Sequence, residues 1–142
     1  MKLRLKGDSL RLRVSQSEMT RLMQSGRIEE TIHFGAECDS RFSYALEHTE
    51  APEEISIRYL PREVTVVLST LAARGWAEGD QVGIYRDTHA GNWKLSLSVE
   101  KDFACLDGSD EDNNDTFPNP RSGTVCKDPG SNGPEVSGNS VT

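Results

Sequence analysis

Apolar and polar side chains alternate along the opening stretch of the chain. Leu3, Leu5, Leu10, Leu12 and Val14 share one parity, and Lys2, Arg4, Lys6, Arg11 and Arg13 share the other. Period two is the signature of a β-strand with one face buried. Gly7-Asp8 divides the stretch, and glycine can take the positive φ of a two-residue turn without steric cost. The pattern therefore predicts a hairpin with Leu5 facing Leu10, Leu3 facing Leu12, Arg4 facing Arg11 and Lys2 facing Arg13. The period then changes. Ser15 followed by Glu18 makes a capping box, Met19, Leu22 and Met23 form a helical stripe, and Gly26 stops the helix.

Three further alternating stretches follow, carrying Ile28, Ile32 and Phe34, then Phe42, Tyr44 and Leu46, then Ile55, Ile57 and Tyr59. Each predicts a strand with one apolar and one polar face. A second helix is predicted from Pro61, with Val64, Val67, Leu68 and Leu71 on one face. Gly75 is its expected stop, which sets Trp76 as a cap against Leu71. Two closing strands are expected near residues 81–86 and 93–106. The predicted fold class is α+β: an antiparallel twisted sheet of about seven strands, in the order ββα-βββα-ββ, with two helices on its apolar face. A partly closed barrel is a variant of it. The expected core is Leu3, Leu5, Leu12, Leu22, Phe34, Tyr44, Ile57, Val67, Leu71, Ile84, Leu97 and Val99. No internal repeat is legible.

Composition divides the chain. Residues 107–142 are mostly Gly, Ser, Asn, Asp, Pro and Thr, too poor in apolar side chains to offset the entropy of ordering. They are read as an acidic, mostly disordered tail, and residues 1–106 as a single α+β domain. The formal net charge of −7 hides an asymmetry: residues 1–27 hold seven Lys or Arg against two Asp or Glu, and residues 107–142 hold two against seven. An acidic chain of this kind does not predict duplex nucleic acid as a partner. No apolar run reaches the roughly 20 residues of a membrane span, so no membrane partner is expected. Three widely spaced cysteines, Cys38, Cys105 and Cys126, are read as free thiols of a reducing, cytoplasmic environment.

The segments KLRLKGDSLRLRVSQSEMTRL, VEKDFACLD and FPNP resemble a family of small uncharacterised bacterial proteins, a domain of unknown function. The resemblance spans about residues 1–120. It implies a bacterial cytoplasmic protein and brings no activity, cofactor or catalytic residue with it.

Chemical motifs are sparse. Neither a G-x-x-x-x-G-K-[ST] nor a G-x-G-x-x-G phosphate loop is present. Asp110, Asp112 and Asn114 have the spacing of an EF-hand start, but Asp115 stands where the loop needs glycine and Arg121 where it needs glutamate. His33 and Cys38 have no second pair at zinc-ligand spacing, and no catalytic set emerges. What remains is a charged sheet face. Like charges directly opposite destabilise a sheet, so the basic hairpin needs partners. Lys2, Arg4, Lys6, Arg11, Arg13, Arg41 and Arg58 are the candidate anion-binding residues. The face could instead be laced with ordinary ion pairs. The expected function is a small non-catalytic binding or adaptor domain, its partner an anionic small molecule or acidic protein segment. The alternative is a metal-dependent phosphohydrolase or polyphosphate-binding protein, with Glu100 and Asp102 holding a divalent metal such as Mg. Its organisation would resemble that of the triphosphate-tunnel phosphohydrolases. Those open on Glu-x-Glu-x-Lys, whereas this chain has Lys2-x-Arg4-x-Lys6. The acidic run Asp107, Asp110, Glu111, Asp112 and Asp115 is expected to lie across the basic face or compete for it.

Overall fold

The computed structural model describes residues 1–103 and 115–118. They fall into two compact units, Met1–Asp102 and a second that begins at Phe103. In the second, Phe103 and Phe117 form an isolated parallel bridge, with their rings edge to face at 6.0 Å. The expected placement of the acidic run, the EF-hand-like spacing at Asp110–Asn114, and Cys105 and Cys126 lie outside the described residues, apart from Asp115. Cys38 is free and exposed.

The first unit runs β1 (Lys2–Lys6), β2 (Ser9–Val14), α1 (Gln16–Ser25), β3 (Arg27–His33), β4 (Arg41–Thr49), β5 (Ile55–Leu60), β6 (Glu63–Ser69), α2 (Thr70–Glu78), β7 (Gly83–Ala90) and β8 (Trp93–Lys101). The opening hairpin has the predicted register, Lys2 opposite Arg13 through Leu5 opposite Leu10. Gly7 sits at φ 54°, the positive value the turn requires. The capping box of α1 is complete, with the Ser15 side chain accepting from the Glu18 amide and the Glu18 carboxylate accepting from the Ser15 amide. Gly26 ends that helix at φ 86°.

The expected single antiparallel sheet of seven strands is corrected. Among the described residues eight strands form two mixed four-stranded sheets, in the orders β1-β2-β8-β7 and β3-β4-β6-β5, and they do not close into a barrel. The hairpins are antiparallel, but β2 lies parallel to β8 and β4 parallel to β6. The second helix also starts later than the pattern suggested. Val64 to Leu68 belong to strand β6, and Pro61-Arg62 is a hairpin turn with Arg62 at φ 66°. The β-branched run there has poor helix propensity and fits a pleated, buried surface. Ser69 caps the true helix, accepting a 3.1 Å bond from the Ala72 amide. Leu71 is consequently 82% exposed, and Trp76 lies inside α2, fully buried, its indole N–H donating to the Val82 carbonyl at 3.1 Å. Trp76 is a core residue, not a cap against Leu71.

The core takes one face of each sheet and the inward sides of both helices: Leu12, Val14, Leu22, Leu46, Ile55, Val66, Leu68, Trp76 and Val99 are all but inaccessible. Of the expected core, Leu5, Phe34 and Leu71 are exposed. Helix α2 packs on β4 and β6 of one sheet and on β7 of the other. The sheet edges meet through side chains, Arg86 of β7 reaching Glu53 just before β5 at 3.0 Å.

The first unit is built from two copies of one plan. β1-β2-α1-β3-β4 and β5-β6-α2-β7-β8 have the same order of elements, and exchanging them converts one sheet order into the other. The registers follow: Arg4 opposite Arg11 corresponds to Arg58 opposite Thr65, Ser9 beside Ser96 to Glu63 beside Ser43, and Gly83 opposite Glu100 to Arg27 opposite Glu47. Single backbone bonds repeat as well. The Ser43 amide donates to the Arg62 carbonyl and the Ser96 amide to that of Asp8. The His48 amide donates to the Gly26 carbonyl and the Lys101 amide to that of Val82.

Candidate anion-binding site

Alternation in β1 and β2 sends the Lys and Arg side chains to the face opposite the core, and parallel pairing brings β8 alongside. Three cross-strand rows result on the polar face of this sheet. They are Lys2, Arg13, Glu100 and Gly83; then Arg4, Arg11, Ser98 and Tyr85; then Lys6, Ser9, Ser96 and Asp87. The second and third rows line a half-open pocket of about 590 Å³, with Arg86 at its β7 side.

The two ends of this face differ electrostatically. In the first row Glu100 is fully engaged. It takes a 2.8 Å hydrogen bond from the Tyr85 hydroxyl, and Arg13 and Arg11 approach it at 3.4 and 3.6 Å. Lys2 pairs with Asp102 at 2.9 Å. In the pocket, Asp87 is taken by the Ser96 hydroxyl at 2.8 Å and by Lys94 at 3.7 Å. Arg4 and Lys6 form no ion pair among the described residues, and both are exposed. The pocket is therefore basic, with the Ser98 hydroxyl beside two uncompensated cations, while the Ser9 hydroxyl donates to the Lys6 carbonyl at 2.6 Å.

Gly83 makes room for the Tyr85–Glu100 bond. A Cβ there would meet the Val99 carbonyl oxygen at 2.5 Å and the Tyr85 hydroxyl at 2.9 Å. Loss of water around the Tyr85 hydroxyl, and then the bond to anionic Glu100, push its phenol up to about 12. The hydroxyl accordingly stays protonated and keeps donating.

The structure does not gather all seven candidate cations. Lys2, Arg4, Lys6, Arg11 and Arg13 share one sheet, while Arg41 and Arg58 stand on the other. Arg41 donates to the Cys38 carbonyl. Arg58 forks onto Glu47, its two terminal nitrogens 3.1 and 3.0 Å from the two carboxylate oxygens. Arg27 completes that cluster, reaching Glu47 at 2.7 Å, Glu29 at 2.8 Å and Glu63 at 3.1 Å. Hydrogen bonds from Arg58, with Arg27 beside it, hold the Glu47 carboxyl below its usual range despite its partial burial. Alternation assigns Arg41 and Arg58 a face within their strands but not a sheet, which is why the sequence alone places them with the hairpin.

Glu100 and Asp102, the alternative metal ligands, are each held by cations in this arrangement. A divalent metal would have to displace Arg11, Arg13 and Lys2 from them. Among the described residues no three His, Cys, Asp or Glu side chains come together as a metal site. No helix among them is long and apolar enough to cross a membrane. Sequence alone does not mark Tyr85 and Gly83 as site residues. Ile84 pointing inward already implied Tyr85 outward, but only the β7–β8 pairing brings it to Glu100.

A search of the curated proteins found no match to this chain, and neither did one of the solved structures. The model of a family of unknown function, DUF7009, matches residues 1–121, so the chain belongs to that family.

Proposed function

We propose that this protein is a binding domain for small phosphate-type anions, which it takes into the basic pocket on the face of the β1-β2-β8-β7 sheet. The observation that carries the reading is the unbalanced charge at Arg4 and Lys6, beside an Arg11 that shares Glu100 with Arg13. Arg4 and Arg11 face each other directly across two strands, an arrangement that costs stability unless an anion lies between or above them. The pocket volume is within the range of small-molecule sites, and the Ser98 hydroxyl offers a donor to anionic oxygens. Glu100 is already paired with cations, so the reading is one of binding and not of metal-assisted hydrolysis.

The test is calorimetric titration with inorganic phosphate, pyrophosphate and tripolyphosphate at low salt. Pyrophosphate should bind and raise the melting temperature, since a ligand of the native state stabilises it. The double variant Arg4→Gln/Arg11→Gln should lose roughly tenfold or more in affinity. Added salt should weaken the wild-type complex, because the site is open to solvent. Absence of binding by the wild type, or equal binding by the variant, would remove the proposal.

A further inference from the structure

Comparing the two halves shows what makes one polar face self-sufficient and the other basic. In the β3-β4-β6-β5 sheet, Arg58 and Arg27 are balanced by Glu47, Glu29 and Glu63. The equivalent of Glu47 is Glu100, which the first sheet retains; the equivalent of Arg58 is Arg4. The equivalent of Glu63 is Ser9, and that of Thr65 is Arg11. One half thus carries a carboxylate at the first position of its inner strand. The other carries a hydroxyl there, with an added guanidinium two residues on. Ser9 lies opposite Lys6, diagonal to Arg4 and on the same strand face as Arg11. All four line the pocket.

We infer that Ser9 is the specificity-determining residue of the pocket, and that a phosphate group of the ligand sits over Ser9, Lys6, Arg4 and Arg11, at the place where the other half carries the Glu63 carboxylate. This rests on the anion-binding reading above. A serine at this position leaves space for a phosphate, its own hydroxyl turned back to donate to the Lys6 carbonyl at 2.6 Å. A glutamate would fill the same space with the chain's own anion, as Glu63 does in the other half; its partner there, Arg27, has Gly83 as its equivalent in this sheet, so the cations such a glutamate would meet here are Lys6, Arg4 and Arg11. Directly opposite and diagonal side chains are about 5 and 7–8 Å apart at Cβ, within reach of Glu, Lys and Arg. The ligand class follows from where the free cations stand: Lys2 and Arg13 are already paired with Asp102 and Glu100, which confines the unpaired charge to one end of the strand and fits a compact anion with an unhindered terminal phosphate, not an extended polyanion anchored along the whole strand.

The experiment compares Ser9→Glu with its neutral isostere Ser9→Gln, using pyrophosphate as the probe against the full chain. Ser9→Glu should bind pyrophosphate roughly tenfold or more weakly than Ser9→Gln, because its carboxylate competes for the same cations. It should also melt higher than Ser9→Gln at low salt, with the difference shrinking as salt is added. Equal affinity of the two variants, in a wild type that does bind pyrophosphate, overturns the role of Ser9 and leaves the anion pocket standing. A wild type that does not bind overturns both. Should Ser9→Glu fail to fold, the pair Ser9→Asp and Ser9→Asn is read in the same way.

Discussion

Tyr85 links the basic rows to the sheet that carries them. The residue is 55% exposed, yet its hydroxyl is held against Glu100 at 2.8 Å. Its phenol, pushed up to about 12, should ionise well after an ordinary tyrosine, and Tyr85→Phe should remove that late phase from an absorbance titration at alkaline pH. The same substitution frees Glu100 to draw Arg11 closer and should weaken pyrophosphate binding. Glu47 makes a prediction at the acid end. Its folded-state carboxyl is held below the ordinary 4.5 by Arg58 and Arg27, so it contributes stability above that value. The contribution is lost as pH falls through the lowered folded value. Glu47→Gln should therefore flatten the fall in melting temperature below about pH 4.5. Trp76 is a purely structural residue, and Trp76→Ala should cost about 3–5 kcal/mol in chemical denaturation. Unchanged stability there would contradict its complete burial.

Among the elements, the opening hairpin and α1 were readable because local chemistry specifies them. A two-residue turn fixes the register, and a capping box with a left-handed glycine fixes both helix ends. The second helix was misplaced because Val64, Val67, Leu68 and Leu71 satisfy a helical period while most of them belong to a strand buried along its length. A continuous apolar run does not distinguish the two by periodicity. Strand β7 shows the reverse, a constraint invisible in sequence. Gly83 was unremarkable there, but its position against the Val99 carbonyl leaves no room for a Cβ. Gly83→Ala should force β7 away from β8 and destabilise the protein by about 1–3 kcal/mol, which thermal or urea unfolding would read. A neutral outcome would mean that the β7–β8 ladder yields easily at its start.

At the scale of the whole unit, the two halves are interleaved. The hairpin β1-β2 completes its sheet only with β7-β8, and β3-β4 only with β5-β6. Neither half contains a full sheet, and isolated two-stranded hairpins are marginal in water. A fragment of residues 1–50 should therefore show no cooperative unfolding as a monomer, and mixing it with residues 51–103 should restore one. A folded monomeric fragment by circular dichroism and gel filtration would contradict this dependence. By itself, the sequence determined the α+β class, the first hairpin and helix, five of the seven candidate cations that share a face, and the family. Those features follow from contacts a few residues apart, where turn, cap and alternation chemistry act. Tertiary structure alone decided the two mixed sheets, the twofold plan of the chain and the partition of Arg41 and Arg58 from the hairpin. It also decided the opposition of Ser9 to Glu63 as equivalent positions. Parallel pairing of β2 with β8 joins residues some 87 positions apart and has no local signature. Two halves can share a backbone plan while their side chains diverge, because the plan needs only apolar alternation on the inner face and leaves the outer face free to become either a closed ion-pair cluster or an open basic pocket.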